Sequence, residues 1–208
     1  MPRLMAAWYD RSLAKTEAAG LRDWRAALLA GVAGEVLEIG PGTGLNLEHY
    51  PATVTRLVLA EPDRFMRAKL AAKVEARSGP FPVEIADAGV DPIPFADGSF
   101  DVVVSTLVLC SVPDHEGALA EIHRVLRPGG LFVFLEHVAA VENPKRHRWQ
   151  HRIEPLWKRW AGNCHLTRTT DQAIPAAGFE LVEARRECIA KMPPWVRVST
   201  RGHAVKAA

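Results

Sequence analysis

The run Glu38-Ile39-Gly40-Pro41-Gly42-Thr43-Gly44 constrains this chain more than any other stretch. It follows the apolar pair Val36-Leu37 and precedes Leu45-Asn46-Leu47-Glu48-His49-Tyr50, which can open a helix before Pro51 interrupts it. A strand therefore runs into a glycine-rich turn and on toward a helix. Glycine carries no Cβ, so the backbone can turn tightly there and a ligand can come close to it. Turns of this kind belong to the nucleotide-binding βαβ unit. The spacing departs from the dinucleotide fingerprint G-x-G-x-x-G, because Leu45 stands at its sixth position.

Acidic residues follow at telling distances. Leu57-Val58-Leu59-Ala60 is a short apolar run ending at Glu61-Pro62, twenty-three residues after Glu38. A carboxylate at the end of a second strand can accept hydrogen bonds from both hydroxyls of a ribose. An acid beside a proline in a first helical turn is equally consistent with Glu61, and the two roles are compatible. A third run, Val83-Glu84-Ile85-Ala86, ends at Asp87-Ala88.

The remaining pattern alternates strands and helices to about residue 138, the signature of a parallel sheet covered on both faces. Residues 1–34 read as helical, with Leu13, Leu21, Trp24 and Leu28 near one face and Gly31 and Gly34 ending the pattern. A second helix starts at Pro62 and offers Phe65, Met66, Leu70 and Val74 to the sheet. Phe100 to Val104 is the fourth strand, Asp114 caps the next helix, and Leu131 to Leu135 forms the fifth strand after Arg127-Pro128-Gly129-Gly130. Asn143-Pro144 is an N-cap with proline at the first helical position. Trp149, Ile153, Leu156, Trp157 and Trp160 then recur at helical spacing, and Pro155 should kink or split that helix. This stripe is either core or the wall of a substrate pocket. Lys145, Arg146, Arg148, Arg152, Lys158 and Arg159 lie opposite it, as a solvated face or as a contact for an anionic membrane surface. Gly178 to Val182 and Val196 to Val205 supply the final strands.

A chain of 208 residues fits one domain. Its parts are an N-terminal helical lid (1–34), a core (35–142), a helical insertion (143–170) and C-terminal strands (171–208). A net charge of +2 gives no bulk electrostatic reason to expect nucleic acid. Cys110, Cys164 and Cys188 are odd in number and widely spaced, so neither a disulfide framework nor a zinc motif is indicated. Cys164-His165 has no third ligand within sequence reach, so no metal is expected. The N-terminus lacks the apolar core of a signal peptide, and Val102 to Val112 is about half a membrane span. A cytoplasmic protein without an integral membrane segment is the expectation; the oligomeric state is not legible.

The E-x-G-x-G-x-G pattern, the acids at 61 and 87, F-A-D-G-S-F-D-V-V-V and R-V-L-R-P-G-G together resemble the class I S-adenosylmethionine (AdoMet) methyltransferases of the small-molecule branch. Thr106 to Val112, Glu136-His137-Val138-Ala139-Ala140, Trp149-Gln150, Asn163 to Arg168 and Gly202 to Lys206 are similar to the alkyl-thiol S-methyltransferases of animals. Those relatives carry a hydrophobic N-terminal anchor, and none is visible here. The resemblance implies a Rossmann-like α/β fold. Its seven-stranded sheet would be mostly parallel with an antiparallel last strand, with N-terminal helices and a helical insertion after the fifth strand. It also implies AdoMet as cofactor. Gly40, Pro41, Gly42 and Gly44 would line its methionine end, with Glu38 ordering the amino group. Glu61 with Pro62 would hold the ribose, and Asp87 with Ala88 the adenine edge. Thr106 and Leu107 would pack beside the reacting methyl. Met66 is either an adenine neighbour or a helix-to-sheet contact.

Methyl transfer needs an aligned acceptor and, for a poorly ionised acceptor, a base. A thiol with a reference pKa of about 8.5 supplies thiolate more readily than a phenol or an alcohol. His137 is the best base candidate, with a structural histidine as the plain alternative. Tyr9 is either a lid over the site or helix packing, and Trp149 would line the acceptor pocket. A thiol sulfur is the favoured small-molecule acceptor. A phospholipid amine and a quinone-type carbon are the alternatives, and a non-catalytic AdoMet-binding module is the second class.

Overall fold

The computed structural model describes residues 3–207, with side chains from Asp10 onward. The strands are β1 (Gly34–Ile39), β2 (Val54–Ala60), β3 (Val83–Ala86), β4 (Phe100–Thr106), β5 (Leu126–His137), β6 (Phe179–Cys188) and β7 (Val198–Lys206). The helices are α1 (Arg3–Thr16), α2 (Arg22–Leu29), α3 (Arg64–Glu75), α4 (His115–Val125), α5 (Pro144–Trp160) and α6 (Thr170–Ala176). One seven-stranded sheet runs in the order β3-β2-β1-β4-β5-β7-β6. The pairs from β3 to β5 are parallel, and β7 is antiparallel to both β5 and β6. The chain thus has the Rossmann-like arrangement.

The central strands are apolar almost throughout because helices cover both faces. Leu37, Ile39, Val103, Phe132 and Phe134 point to one side, where Leu119 and Ile122 of α4 and Ile174 of α6 pack on them. Val36, Leu57, Leu59, Val104, Val133 and Leu135 point to the other, against Leu28 and Leu29 of α2 and Leu70 of α3. Alternating side chains of one strand feed the two layers.

Local chemistry adjusts the expected boundaries. Helix α3 opens at Arg64 rather than Pro62, because Asp63 Oδ1 accepts bonds from the Phe65 and Met66 amides and so takes the N-cap. Strand β5 begins at Leu126, directly after α4, and a register irregularity against β4 absorbs Arg127 to Gly130. Helix α5 is not split at Pro155 and runs continuously to Trp160.

The inward face of α5 also differs from the expected one. Gln150 is fully buried, accepting from the Ala140 amide and donating to the Trp195 carbonyl, and Glu154 bonds Thr167. Positions 150, 154, 157 and 161 therefore face the domain, while Trp149, Leu156 and Trp160 are exposed. One residue's offset turns a helical face by about 100°. Trp149, Leu156 and Trp160 thus stand beside Lys145, Arg148, Arg152 and Arg159 on the outer surface while Trp157 of the same stripe turns inward, and the expected opposition of apolar and basic faces is not realised. Among the described residues, no helix is long and apolar enough to cross a membrane.

Candidate active site

The glycine turn closes β1 over the carboxyl ends of β1, β2 and β4. Gly40 has φ +57°, and a Cβ there would stand 2.7 Å from Val108 Cγ2, so this position needs glycine on both counts. Its amide donates to the Ala60 carbonyl at 2.9 Å. The Gly42 amide donates to Glu61 Oε2 at 2.8 Å, and the Asp63 amide to Glu61 Oε1 at 2.8 Å. Glu61 is buried at the end of β2; burial raises its pKa, and these two amides oppose the rise. A cleft of about 300 Å³ opens here, bounded by Gly40, Gly42, Glu61, Pro62, Met66, Val90, Thr106 and Leu107.

Behind the turn lies a buried polar cluster. Glu38 accepts from Asn46 Nδ2 at 2.8 Å and from the Tyr50 hydroxyl at 2.8 Å. Burial lifts its pKa to about 7, against the lowering effect of both bonds and of nearby Arg25. Arg25 of α2 donates to Asn46 Oδ1 at 2.9 Å and to Thr106 Oγ1 at 3.1 Å. The N-terminal helices are therefore tied to the turn and to the end of β4 by a charge-assisted network. Arg25 and Asn46 were not among the expected site residues; a lone arginine in a helical segment and an asparagine after the third glycine give no sequence signal of a shared contact.

Several expected residues stand elsewhere. Gly44 does not line the cleft: it has φ +77°, and a Cβ would meet Leu70 Cδ1 at 2.7 Å, so it serves the packing of α3. Asp87 and Ala88 do not line it either. Asp87 is exposed and clamped by both Arg67 guanidinium nitrogens, at 2.7 and 2.6 Å, while Gly89 and Val90 form the wall at that level. Glu38 is buried behind the turn and Pro41 is buried within it, and neither lines the cleft. The Tyr9 side chain lies outside the described residues.

A second cavity, of about 470 Å³, adjoins the first and shares Leu107 and Ser111 with it. Its walls are largely apolar: Leu13, Leu107, Trp157, Met192 and Val196, with Trp160 at the rim. Its polar groups are the Cys110 and Cys164 thiols, His137 and two serines. Helix α5 and the loop before β7 close it, but through Trp157 and Met192. Trp149 is 61% exposed and belongs to a separate groove with Lys145, Arg146 and Trp195, so it does not line this cavity. The reason is the rotation of α5 that Gln150 imposes. Glu136 braces the junction of the two cavities: its Oε1 accepts from Ser105 Oγ at 2.6 Å and from the Val108 amide at 3.1 Å.

The first cleft fits AdoMet. A turn without Cβ crowding, a carboxylate able to receive ribose hydroxyls and the apolar surface of Met66 and Val90 suit an adenosine, and the adjoining cavity gives the methyl a place to go. Residues 37–134 match the family described as methyltransferase domain. The chain is 38% identical over 180 residues to thiol S-methyltransferase TMT1A of Homo sapiens, covering 85% of this chain and 73% of that protein. It is 38% identical over 184 residues to thiol S-methyltransferase TMT1B of Homo sapiens, covering 86% and 74%. A solved structure from Bacillus halodurans superposes with a TM-score of 0.70 at 19% identity, over 90% of this chain and 99% of that one. The chain belongs to the class I AdoMet-dependent methyltransferases.

Proposed function

We propose that this methyltransferase acts on the sulfur of a small, apolar thiol. The observation that carries the reading is the second cavity: it is apolar, adjoins the AdoMet cleft at Leu107 and Ser111, and offers one imidazole, His137, as its basic group. Bound AdoMet supplies a methyl already activated by its sulfonium. Gly40 and Gly42 give the cofactor a close backbone surface, Glu61 receives the ribose, and Met66 and Val90 flank the adenosine. Thr106 and Leu107 stand at the passage between cleft and cavity. The acceptor enters against Trp157, Met192 and Val196, which displace water and orient it. His137 favours the thiolate. A thiol needs only modest help to ionise near neutral pH, whereas an alcohol would need far more. Similarity to the two human thiol S-methyltransferases supports the same acceptor class.

Product analysis with a small alkyl thiol and its oxygen isostere at equal concentration tests the reading. S-methyl product in excess of O-methyl product is expected. Methylation of a phospholipid amine or a quinol precursor, without any S-methyl product, would refute it. The outer face of α5, where Trp149 and Trp160 stand among Arg148, Arg152 and Arg159, supports a peripheral contact with an anionic membrane surface. Sedimentation with anionic vesicles, lost in a Trp149→Ala, Trp160→Ala variant, checks that contact.

A further inference from the structure

Three sulfur and nitrogen donors converge on one point of the acceptor cavity. Cys110 comes from the loop after β4, His137 is the last residue of β5, and Cys164 lies in the turn after α5. The Cys164 and Cys110 sulfurs are 3.9 Å apart, and Cys164 Sγ is 3.8 Å from His137 Nδ1. One ligand atom from each of the three residues lies within 4.8 Å of the others. A tetrahedral zinc with Zn–S near 2.3 Å and Zn–N near 2.0 Å separates its ligand atoms by about 3.5–3.8 Å. The two separations from Cys164 Sγ are thus within a few tenths of an ångström of that spacing, and the third, within 4.8 Å, needs to close by no more than about an ångström. His165, the neighbour that the sequence offered as Cys164's partner, faces Glu154 at 3.9 Å and takes no part.

The geometry is held from outside the cluster. The His165 amide donates to the Cys110 carbonyl at 2.7 Å, and Asn163 Nδ2 to the Ser111 carbonyl at 3.0 Å. These bonds staple the turn carrying Cys164 onto the loop carrying Cys110. Arg168 is tied to the carbonyls of Leu109 and Val112, which fixes the same loop and brings a positive charge near the sulfurs. Two thiolates would neutralise a divalent ion, so that guanidinium faces a site of no net charge. The Trp157 indole nitrogen is buried in the wall of the same cavity without a hydrogen-bond partner, which leaves a donor free to serve as an outer partner of a metal ligand.

We propose that Cys110, His137 and Cys164 bind a divalent, zinc-like metal ion whose fourth position opens into the acceptor cavity and receives the substrate thiol. Three protein ligands with an open fourth place is the arrangement of catalytic rather than structural zinc. The proposal rests on the thiol reading above and says how His137 favours the thiolate: as a ligand that helps hold the ion. The acceptor R–SH loses its proton to solvent on coordination, because a metal-bound thiol is deprotonated. The thiolate lone pair then forms the new S–C bond to the methyl, and the bond between methyl and sulfonium breaks with its electron pair passing to the departing sulfur. The products are a methyl thioether and the neutral demethylated cofactor. No redox change occurs, and the weakly basic thioether leaves the ion.

Cobalt(II) is the probe, added to reduced, chelator-treated full-length protein. One equivalent per chain with thiolate-to-cobalt charge-transfer absorption is expected. Cys164→Ser and Cys110→Ser should each weaken binding at least tenfold, and Cys188→Ser, at an exposed site away from the cluster, should leave it unchanged. A small thiol, but not its alcohol isostere, should alter the visible cobalt bands. Absence of stoichiometric binding by the wild-type protein, or a spectrum insensitive to both cysteine variants, overturns the proposal. So does thiol methylation at full rate by metal-free enzyme, which would leave the thiol reading standing. Cobalt bound through both cysteines but indifferent to thiols, in an enzyme that makes no S-methyl product, would instead locate the failure in the acceptor assignment and sink the thiol-binding role of the ion with it.

Discussion

Glu38→Gln should stabilise the protein in a strongly pH-dependent way. The carboxyl is 1% exposed, and burial moves its pKa from 4.5 to about 7. Below pH 4.5 it is protonated in both folded and unfolded chains and makes no difference between them. From pH 4.5 to about 7 the unfolded chain sheds the proton while the folded chain keeps it, so stability falls as pH rises. Above that range both states are ionised and the loss levels off. The interval corresponds to about 3 kcal/mol. Glutamine keeps an acceptor for Asn46, and the Tyr50 hydroxyl can rotate to accept from the new amide, so the variant does not titrate here. Urea unfolding of ligand-free protein, followed by tryptophan fluorescence at pH 5 and pH 8, measures the difference. The advantage of the variant should be greater at pH 8 by about 2.5 kcal/mol, because at pH 5 the unfolded chain has already ionised in part, with an unchanged m-value. An advantage that is the same at both pH values would mean that Glu38 titrates normally in the folded state, and the desolvation argument would fail.

Further outcomes follow from the same geometry. Glu61→Ala removes the acceptor of the Gly42 and Asp63 amides and should weaken AdoMet binding by about 1–3 kcal/mol, measured by calorimetry; unchanged affinity would move the ribose site elsewhere. Gly40→Ala should cost still more, because it combines a left-handed φ with a Cβ set against Val108. Trp157→Ala should raise the KM for the acceptor without changing AdoMet affinity, whereas Trp149→Ala should leave thiol turnover in free solution unaltered; the reverse pattern would place the acceptor on the outside of α5. Leu107→Gly should hold the melting temperature within a few degrees, since relief of strain of about 1–3 kcal/mol offsets lost contacts and backbone entropy. Turnover per folded molecule should nevertheless fall, and a large drop in melting temperature with full activity would make Leu107 ordinary core.

The sheet was legible because its signals are local. Apolar runs such as Leu57 to Ala60, the turn at Gly40 to Gly44 and the caps at Asp114 and Asn143 each depend on neighbours within a few residues. The acceptor side depends on distant contacts. Gln150 turns inward because Ala140 and Trp195 bond it, and nothing in the spacing of Trp149 and Trp160 announces that rotation. Gly44 carries the same periodic mark as Gly40, yet Leu70 rather than a ligand is what it accommodates. Cys110, His137 and Cys164 are separated by 27 or 54 positions and meet only because the end of β5 and two loops come together at the carboxyl ends of β4 and β5. Arg25 bonds Thr106 across 81 positions.

Leu107 connects these two classes of contact. Its φ of 60° is left-handed, uncommon for a branched aliphatic residue, and it is the point where the cofactor cleft and the acceptor cavity meet. The conformation persists because its surroundings fix the backbone on both sides. The Leu107 amide bonds the Leu135 carbonyl at 2.7 Å, and Glu136 holds Ser105 and the Val108 amide. Residues 135 and 136 of β5 thus shape the exit of β4, while residue 137 points its imidazole into the cavity that this exit borders. A burial-driven strand pairing, predictable from apolar runs, therefore places left-handed Leu107 and the His137 imidazole beside the same passage. The local rule broken at Leu107 is broken at the junction of the two cavities, which on the proposed reading is where methyl and acceptor come together and where a methyltransferase has reason to hold its backbone against its preference.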